Sequence, residues 1–155
     1  LAKNGYYKNN EFFRVIKDFM IQSGDPSNQG TGTASIFGGK TFDTEISNQL
    51  YNIRGALALA NTGQASSSSS QFFIVQNSQD MTIQIQDKTK YPQKIIDAYK
   101  KGGYPSLDGS YTVFGQVISG MDVVDKIKGV STGRSGMHQD VPKEDVVITS
   151  VTVSE

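Results

Sequence analysis

One arginine stands among apolar residues near the start of the sequence. Arg14 lies in FFRVIKDFMIQSGD, residues 12–25, just before the apolar pair Val15 and Ile16. A buried guanidinium without acceptors is costly, so Arg14 must either turn to water or find hydrogen-bond acceptors. On this stretch alone, we interpret Arg14 as an outward-facing charge on a strand.

Few other residues could do chemistry. The sequence has no cysteine, which excludes disulfides, thiolate catalysis and cysteine-based metal sites. The single histidine, His138, argues against a histidine metal cluster, and we interpret it as a surface loop residue without a role. Asp43 and Glu45 have no cation ligands or catalytic partners spaced to join them, so we interpret them as solvated or strand-capping acids.

The composition is that of one globular domain. The chain has 155 residues, of which 36% are hydrophobic, and this suffices for a single core. Fifteen basic and fifteen acidic residues give a net charge of zero, so bulk electrostatics suggest neither nucleic acid nor an anionic membrane as a partner. No apolar run approaches the roughly 20 residues that span a bilayer, and no signal peptide is visible.

Short apolar runs predict a mostly β structure. Runs rich in β-branched and aromatic residues predict strands at 12–16, 19–21, 55–60, 71–75, 112–118 and 146–153. The spacing of apolar residues predicts helices that begin at Pro92 and at Met121, and residues 1–5 resemble the last turn of a helix. The five serines at 66–70 predict a flexible polar surface loop. This pattern favours a closed or nearly closed antiparallel β-barrel with helices at its ends.

Three segments together resemble the cyclophilins, the family of peptidyl-prolyl cis/trans isomerases. FFRVIKDFMIQSGDP resembles the family pattern F-H-R-V-I-x-x-F-M-I-Q-G-G-D. GALALANTGQASSSSSQFFI resembles G-x-L-S-M-A-N-x-G-x-x-x-x-x-S-Q-F-F-I, and LDGSYTVFGQVISGMDVVDKI resembles L-D-G-x-H-x-V-F-G-x-V-x-x-G-x-x-V-x-x-I. The segment 77–103 resembles an insertion of some bacterial members. Order and spacing agree across nearly the whole chain.

The resemblance implies a closed eight-stranded antiparallel β-barrel capped by two helices. In this family, two strands and the beginning of the first helix precede the point where Leu1 falls. We therefore expect residues 1–155 to form a single cyclophilin-like domain that lacks these elements. The resemblance therefore implies that about 30 or more residues precede Leu1, which is consistent with the cost of nucleating a one-turn helix alone.

The resemblance also implies an activity, the rotation of X–Pro peptide bonds in protein substrates during folding. Arg14 then becomes the catalytic residue, because a guanidinium that withdraws the prolyl nitrogen lone pair lowers the barrier without nucleophile, metal or cofactor. The implied substrate-binding residues are Phe19, Met20, Phe73, Leu107 and Tyr111 around the proline ring, and Gln22, Ala60, Asn61 and Gln71 along the substrate chain. Residues 30–32 match a loop that lines a neighbouring pocket.

The sequence departs from the family pattern at four positions. Phe13 and Tyr111 stand where histidine is common, and Ser23 replaces a glycine. Ser106 stands where some members carry tryptophan, which predicts weak binding of the cyclic peptide cyclosporin. Phe13 is expected to alter the orientation of Arg14.

Two functions on the same groove remain open at this point. The first is the isomerase, and the alternative is a non-catalytic module that binds proline-containing peptides. Retention of Arg14 with the full apolar set favours the enzyme, because a pure binder would not need a guanidinium over the amide. The sequence leaves open whether the domain is cytoplasmic or exported and anchored through a segment before Leu1.

Overall fold

The protein is described by a computed structural model that covers residues 1–136 and 138–154. The strands in these ranges are β1 (Arg14–Ile16), β2 (Met20–Ser23), β3 (Ala56–Leu59), β4 (Phe72–Val75), β5 (Val113–Gln116), β6 (Thr132–Ser135) and β7 (His138–Pro142). The α-helices are α1 (Gln93–Tyr99) and α2 (Met121–Lys128), and 3-10 helices lie at Ala2–Asn4, Thr82–Gln84, Lys88–Lys90 and Pro105–Leu107. The expectation of a mostly β fold with two helices is therefore confirmed.

Five strands form one antiparallel sheet in the order β1-β2-β4-β3-β5, and β6 pairs with β7 in a separate hairpin. Val15 pairs with Ile21, and Ile21 pairs with Ile74. One register shift occurs where β3 pairs with β5, between Leu57 and Ala58. Because side chains alternate between faces along a strand, this register divides the apolar residues between two faces of the sheet.

The expected closed eight-stranded barrel is wrong for the described residues. A closed barrel requires every strand to pair with a neighbour on both sides. Here β1 and β5 are the two outer strands of the large sheet, and they do not pair with each other. The hairpin of β6 and β7 packs beside β1 but does not join its hydrogen-bonded ladder in the described ranges.

The end of the chain also differs from expectation. Residues 146–153 were predicted to form the last strand, but only an isolated bridge between Glu11 and Val147 forms there. The backbone N–H of Phe12 donates to the Val146 carbonyl, and that of Ile148 donates to the Asn10 carbonyl, both at 2.8 Å. The pairing is thus too short for a strand. The hairpin of β6 and β7 lies in a glycine-rich stretch whose apolar alternation is too weak to predict it.

The helices lie close to their predicted positions. Helix α2 begins at Met121 as predicted, and Val124 packs from it against Val15 and Ile21 on one face of the sheet. Helix α1 begins one residue later than predicted, because Pro92 is its N-cap and not its first helical residue. Among the described residues, no helix combines the length and apolar content needed to cross a membrane.

The second face of the sheet carries the main core. It contains the buried residues Met20, Ala56, Ala58, Phe73, Val75 and Leu107. Met20 and Phe73 are only 1% and 5% exposed, although both line a surface cavity. This face of the sheet therefore supplies both the core and the floor of the candidate site.

The serine run is not the flexible surface loop that its composition predicts. Ser68, Ser69 and Ser70 are buried. The backbone of Ser68 pairs with Phe42 in an isolated bridge, and the Ser70 hydroxyl donates to the Gly24 carbonyl at 2.7 Å. Small hydroxyl residues fit here because they can bond to backbone groups inside a tightly packed region.

Candidate active site

A cavity of about 230 Å³ opens on the core face of the large sheet. Its lining residues are Arg14, Phe19, Met20, Gln22, Ala60, Asn61, Phe73, Leu107 and Tyr111. The structure therefore brings together every predicted site residue except Gln71, which does not line the cavity and instead donates to the loop at residues 30–32. These residues are widely separated in sequence, and the sheet is what places them side by side.

Strand pairing explains why the arginine lies beside the apolar pocket. Arg14 pairs with Gln22, Gln22 pairs with Phe73, and Phe73 pairs with Ala58. Residues that pair directly across a sheet project their side chains to the same face. A single row across β1, β2, β4 and β3 therefore carries a cation, a carboxamide and an aromatic ring to one surface.

The apolar half of the cavity is rigidly packed. Each of its two phenylalanines contacts a tyrosine: the ring centroids of Phe19 and Tyr104 are 4.5 Å apart, and those of Phe73 and Tyr111 are 5.4 Å apart. Tyr111 meets Phe73 edge to face, the geometry that aromatic pairs prefer. Sequence reasoning missed Tyr104, and its only signal was an aromatic residue directly before Pro105.

A half-buried carboxylate, Asp108, fixes the leucine side of the cavity through hydrogen bonds. Asp108 follows Leu107, and its side chain accepts hydrogen bonds from the Asn52 backbone at 2.7 Å and from the Tyr99 hydroxyl at 2.5 Å. Burial first, and then this bond to Asp108, raise the pKa of Tyr99, so its hydroxyl stays protonated as a donor. Helix α1 thus fixes the position of Leu107 through the bond from Tyr99 to Asp108. The sequence around Tyr99 did not indicate this role.

The polar half is a chain of hydrogen bonds that begins at Arg14. Nη1 of Arg14 donates to Oε1 of Gln22 at 3.4 Å, and Nε2 of Gln22 donates to Oε1 of Gln71 at 3.0 Å. Nε2 of Gln71 then donates to the carbonyls of Gly32 at 2.8 Å and Gly30 at 3.3 Å. Because the first bond is long and Arg14 is exposed, its guanidinium keeps donors available for a bound molecule.

The loop at residues 26–32 is anchored by Asp25, which is fully buried. One carboxylate oxygen accepts from the backbone and hydroxyl of Ser27 at 2.7 and 2.8 Å, and the other accepts from the Gly32 backbone at 3.1 Å. Burial raises the pKa of Asp25, but these donors lower it by more, so the pKa lies below its ordinary value. A Cβ at Gly32 would collide with this carboxylate, which explains the glycine there.

Asn61 and Ala60 close the other side of the cavity. Nδ2 of Asn61 donates to the Ser110 carbonyl at 2.9 Å, and its Oδ1 accepts from the Gly63 backbone at 3.0 Å. The Ala60 backbone donates to the Gln71 carbonyl at 3.0 Å. These bonds tie the loop after β3 to the start of β4 and to the loop before Tyr111, so this wall of the cavity is already formed.

The four departures from the family pattern have different surroundings. Phe13 is buried, whereas Ser106 is exposed in the 3-10 helix Pro105–Leu107. Ser23 is buried, and its hydroxyl donates to the Glu11 carbonyl at 2.8 Å. Tyr111 replaces a histidine but still lines the cavity and packs on Phe73. Within the described ranges, no group of three or more histidine, aspartate or glutamate side chains could hold a metal ion.

Comparison with known proteins gives the family. The profile of the cyclophilin type peptidyl-prolyl cis-trans isomerases matches residues 1–153. The chain belongs to this family. Its cyclophilin fold is the scaffold on which the cavity described above is built, and the family's activity is the isomerisation of peptidyl-prolyl bonds.

Relatives with the same activity in their names cover most of this cyclophilin chain. A Staphylococcus aureus protein named as a peptidyl-prolyl cis-trans isomerase is 48% identical over 158 residues, covering 99% of this chain and 77% of its own length. A Streptococcus pyogenes protein, named as bifunctional phosphatase and peptidyl-prolyl cis-trans isomerase, is 46% identical, and the match covers 32% of its length. The isomerase name is thus attached to relatives of different overall length.

A solved structure shares the fold. The crystal structure of a Cryptosporidium parvum cyclophilin type peptidyl-prolyl cis-trans isomerase, determined in the presence of the dipeptide Ala-Pro, superimposes with a TM-score of 0.73. It is 29% identical, and the match covers 100% of this chain and 80% of that one.

Proposed function

We propose that this chain catalyses the cis–trans isomerisation of X–Pro bonds in proline-containing polypeptides, with Arg14 as the catalytic residue. The observation that carries the proposal is the row of paired residues that sets the exposed Arg14 guanidinium beside a buried apolar pocket. A proline ring needs such a pocket, and the amide nitrogen needs a donor nearby. Clients of this activity are flexible or unfolded segments, where X–Pro bonds populate both isomers.

The chemistry follows from the electronic structure of the amide. Rotation about a peptide bond has a barrier of about 18–20 kcal/mol, because the nitrogen lone pair is delocalised into the carbonyl. As the amide twists, that lone pair becomes localised on the nitrogen and can accept a hydrogen bond. A guanidinium that donates there contributes more in the twisted state than in either planar state, and this difference lowers the barrier.

The pocket supplies the fixed end of the rotation. Met20, Phe73 and Leu107 are all less than 10% exposed and hold their positions through packing. The prolyl ring rests against them while the preceding carbonyl turns. Gln22 and Asn61, together with the backbone at Ala60, hold the substrate chain on either side, and Gln71 positions Gln22 by accepting its hydrogen bond. An aromatic floor gives contact area with little loss of side-chain entropy.

Ser106 stands where some family members carry tryptophan, and this affects how cyclosporin would bind. Ser106 is exposed, and its short side chain adds no ring to the edge of the cavity. We therefore propose that cyclosporin binds this chain only weakly.

The test is a protease-coupled isomerisation assay on the whole chain and on the Arg14→Ala variant. We expect kcat/KM to fall by about 10²–10³, the usual loss when one transition-state donor is removed. Because Arg14 is exposed, the thermal midpoint of unfolding should stay close to that of the wild-type protein. Arg14→Lys is the matched variant: it keeps the charge but loses the planar fork of donors, so its rate should lie between the two.

The alternative is a module that binds proline-containing peptides without turnover. A folded wild-type chain that binds an X–Pro peptide but does not exceed the uncatalysed rate would overturn the isomerase proposal in favour of that module.

A further inference from the structure

A second groove lies between the loop at residues 26–32 and the hairpin of β6 and β7. It encloses about 510 Å³, more than twice the volume of the candidate active-site cavity. Phe13 and Val141 line its depth, and Thr31, Ser135 and His138 stand on its sides. We call it the hairpin groove. The sequence interpretation placed His138 in a surface loop, and that placement is wrong, since His138 begins β7 and lines this groove.

The hairpin groove is continuous with the candidate active site. A connecting cavity of about 400 Å³ is lined by Phe13 and His138 from the hairpin groove and by Arg14 and Gln22 from the active site. Arg14 and Gln22 therefore face both spaces. A polypeptide whose proline occupies the apolar pocket can extend past the arginine into this channel.

One wall of the hairpin groove is already ordered by bonds that the active site also uses. The loop is fixed by Asp25 and by Gln71, and Oδ1 of Asn28 accepts from the Glu11 backbone at 2.9 Å. Gly30 lies over the Phe13 ring, where an added Cβ would be 3.3 Å from the ring edge. The aromatic floor is thus held in place before any ligand arrives.

The lining residues define what the groove can bind. Its floor is aromatic and aliphatic, and the groups around its rim are hydroxyls, carboxamides and one imidazole. An apolar side chain gains free energy by leaving water for such a floor, and an aromatic ring can also pack against Phe13 and His138. The charged residues Arg14 and Asp140 lie in the connecting cavity, where the polar backbone of an extended peptide would pass.

We propose that the hairpin groove is a specificity subsite that binds an aromatic or branched aliphatic side chain of the substrate polypeptide, outside the X–Pro pair. The proposal rests on the proposed isomerase function and names a sequence preference for it. It also gives Phe13 a role in substrate selection.

The test measures kcat/KM for a short X–Pro peptide and for a series of longer peptides. In each longer peptide, one position before or after the X–Pro pair carries phenylalanine, and the reference peptide carries alanine there. At the position that reaches the groove, we expect phenylalanine to raise kcat/KM about tenfold over alanine, a typical gain from one well-filled apolar subsite. His138→Ala removes one side of the groove, and Thr31→Trp fills it from an exposed position. Both variants should bring the ratio of phenylalanine to alanine peptides close to one.

Arg134→Ala is the control, because Arg134 is exposed on β6 but lines neither the groove nor the connecting cavity. It should keep the wild-type ratio. The proposal is overturned if phenylalanine gives no gain at any position, or if the gain survives both groove variants. If the wild-type protein still turns over the short peptide normally, either of these results leaves the isomerase function intact. A wild-type protein that does not turn over the short peptide would refute the isomerase function itself.

Discussion

The two halves of the candidate active site are built in different ways. The apolar half, with Met20, Phe73 and Leu107, is buried and is packed against further aromatic rings. The polar half, with Arg14, Gln22 and Gln71, is a chain of hydrogen bonds whose outermost bond, at 3.4 Å, is its longest. The apolar half is thus part of the core, whereas the Arg14 guanidinium is exposed and held by only one long hydrogen bond to Gln22. Substitutions in the first half should cost folding free energy, and those in the second should cost rate.

The largest expected effect is on the apolar half. Phe73→Ala removes a ring that is 5% exposed at the centre of the core, and the free energy of unfolding should fall by about 3–5 kcal/mol. Denaturant titration followed by circular dichroism measures this loss. Phe114→Ala is the matched control, because Phe114 is 51% exposed on the outer strand β5, and it should cost less than about 1 kcal/mol. Equal losses for the two variants would contradict the division of the site into halves.

The next effect concerns the anchor of the polar half and depends on pH. The folded state lowers the pKa of Asp25, so its contribution to stability is complete above the unfolded value of about 3.9 and is lost as the pH falls through the folded value. Asp25→Asn should lower the free energy of unfolding at pH 7 by about 1–3 kcal/mol, because an amide cannot accept from both Ser27 and Gly32.

Unfolding titrations at a series of pH values measure both consequences. The variant should lose stability less steeply than the wild-type protein as the pH falls below about 4. Part of the slope should remain, because the hydrogen bond from Arg54 lowers the pKa of Asp125 in the same direction. A variant with the full wild-type slope would show that Asp25 is not the carboxylate responsible.

The smallest expected effect lies within the hydrogen-bond chain. Gln71→Ala removes the support of Gln22 and both bonds to the loop, so kcat/KM should fall about tenfold while stability falls by about 1 kcal/mol. Gln71→Glu sharpens the test, since its carboxylate can accept from Gln22 but cannot donate to the Gly32 carbonyl. Gln93→Ala, which removes an exposed bond to Asp97 on α1, is the control. A change in kcat/KM below twofold for Gln71→Ala would show that the hydrogen bonds of Gln71 do not contribute to catalysis.

Local patterns predicted the individual elements well. The apolar runs around Arg14 and Met20, and the alternation in GALALA, gave β1, β2 and β3 close to their observed bounds. Helix α2 was predictable because its apolar spacing and its terminal lysine and glycine agree with each other. The hairpin of β6 and β7 was missed, because pairing across a turn, and not residue propensity, holds such polar strands together.

The sequence also predicted which residues gather in the candidate site, but only through a family resemblance. Arg14 alone was interpreted as a solvated strand charge, and it is indeed exposed. What composition could not show is that it faces a cavity together with Phe73 and Leu107. The buried serines were misjudged for a related reason, since their burial depends on the loops that fold over them.

The sequence by itself determined most strand and helix segments outside the β6–β7 hairpin, the family and, through the family resemblance, the residues that line the candidate site. Local periodicity, and motifs whose residues lie close together in the sequence, are sufficient to predict these features. Only the tertiary structure decided that the described strands form an open five-stranded sheet beside a hairpin, and that Phe13 and His138 share a groove. Pairing between distant segments depends on register and packing, and neither is encoded in any short stretch of residues.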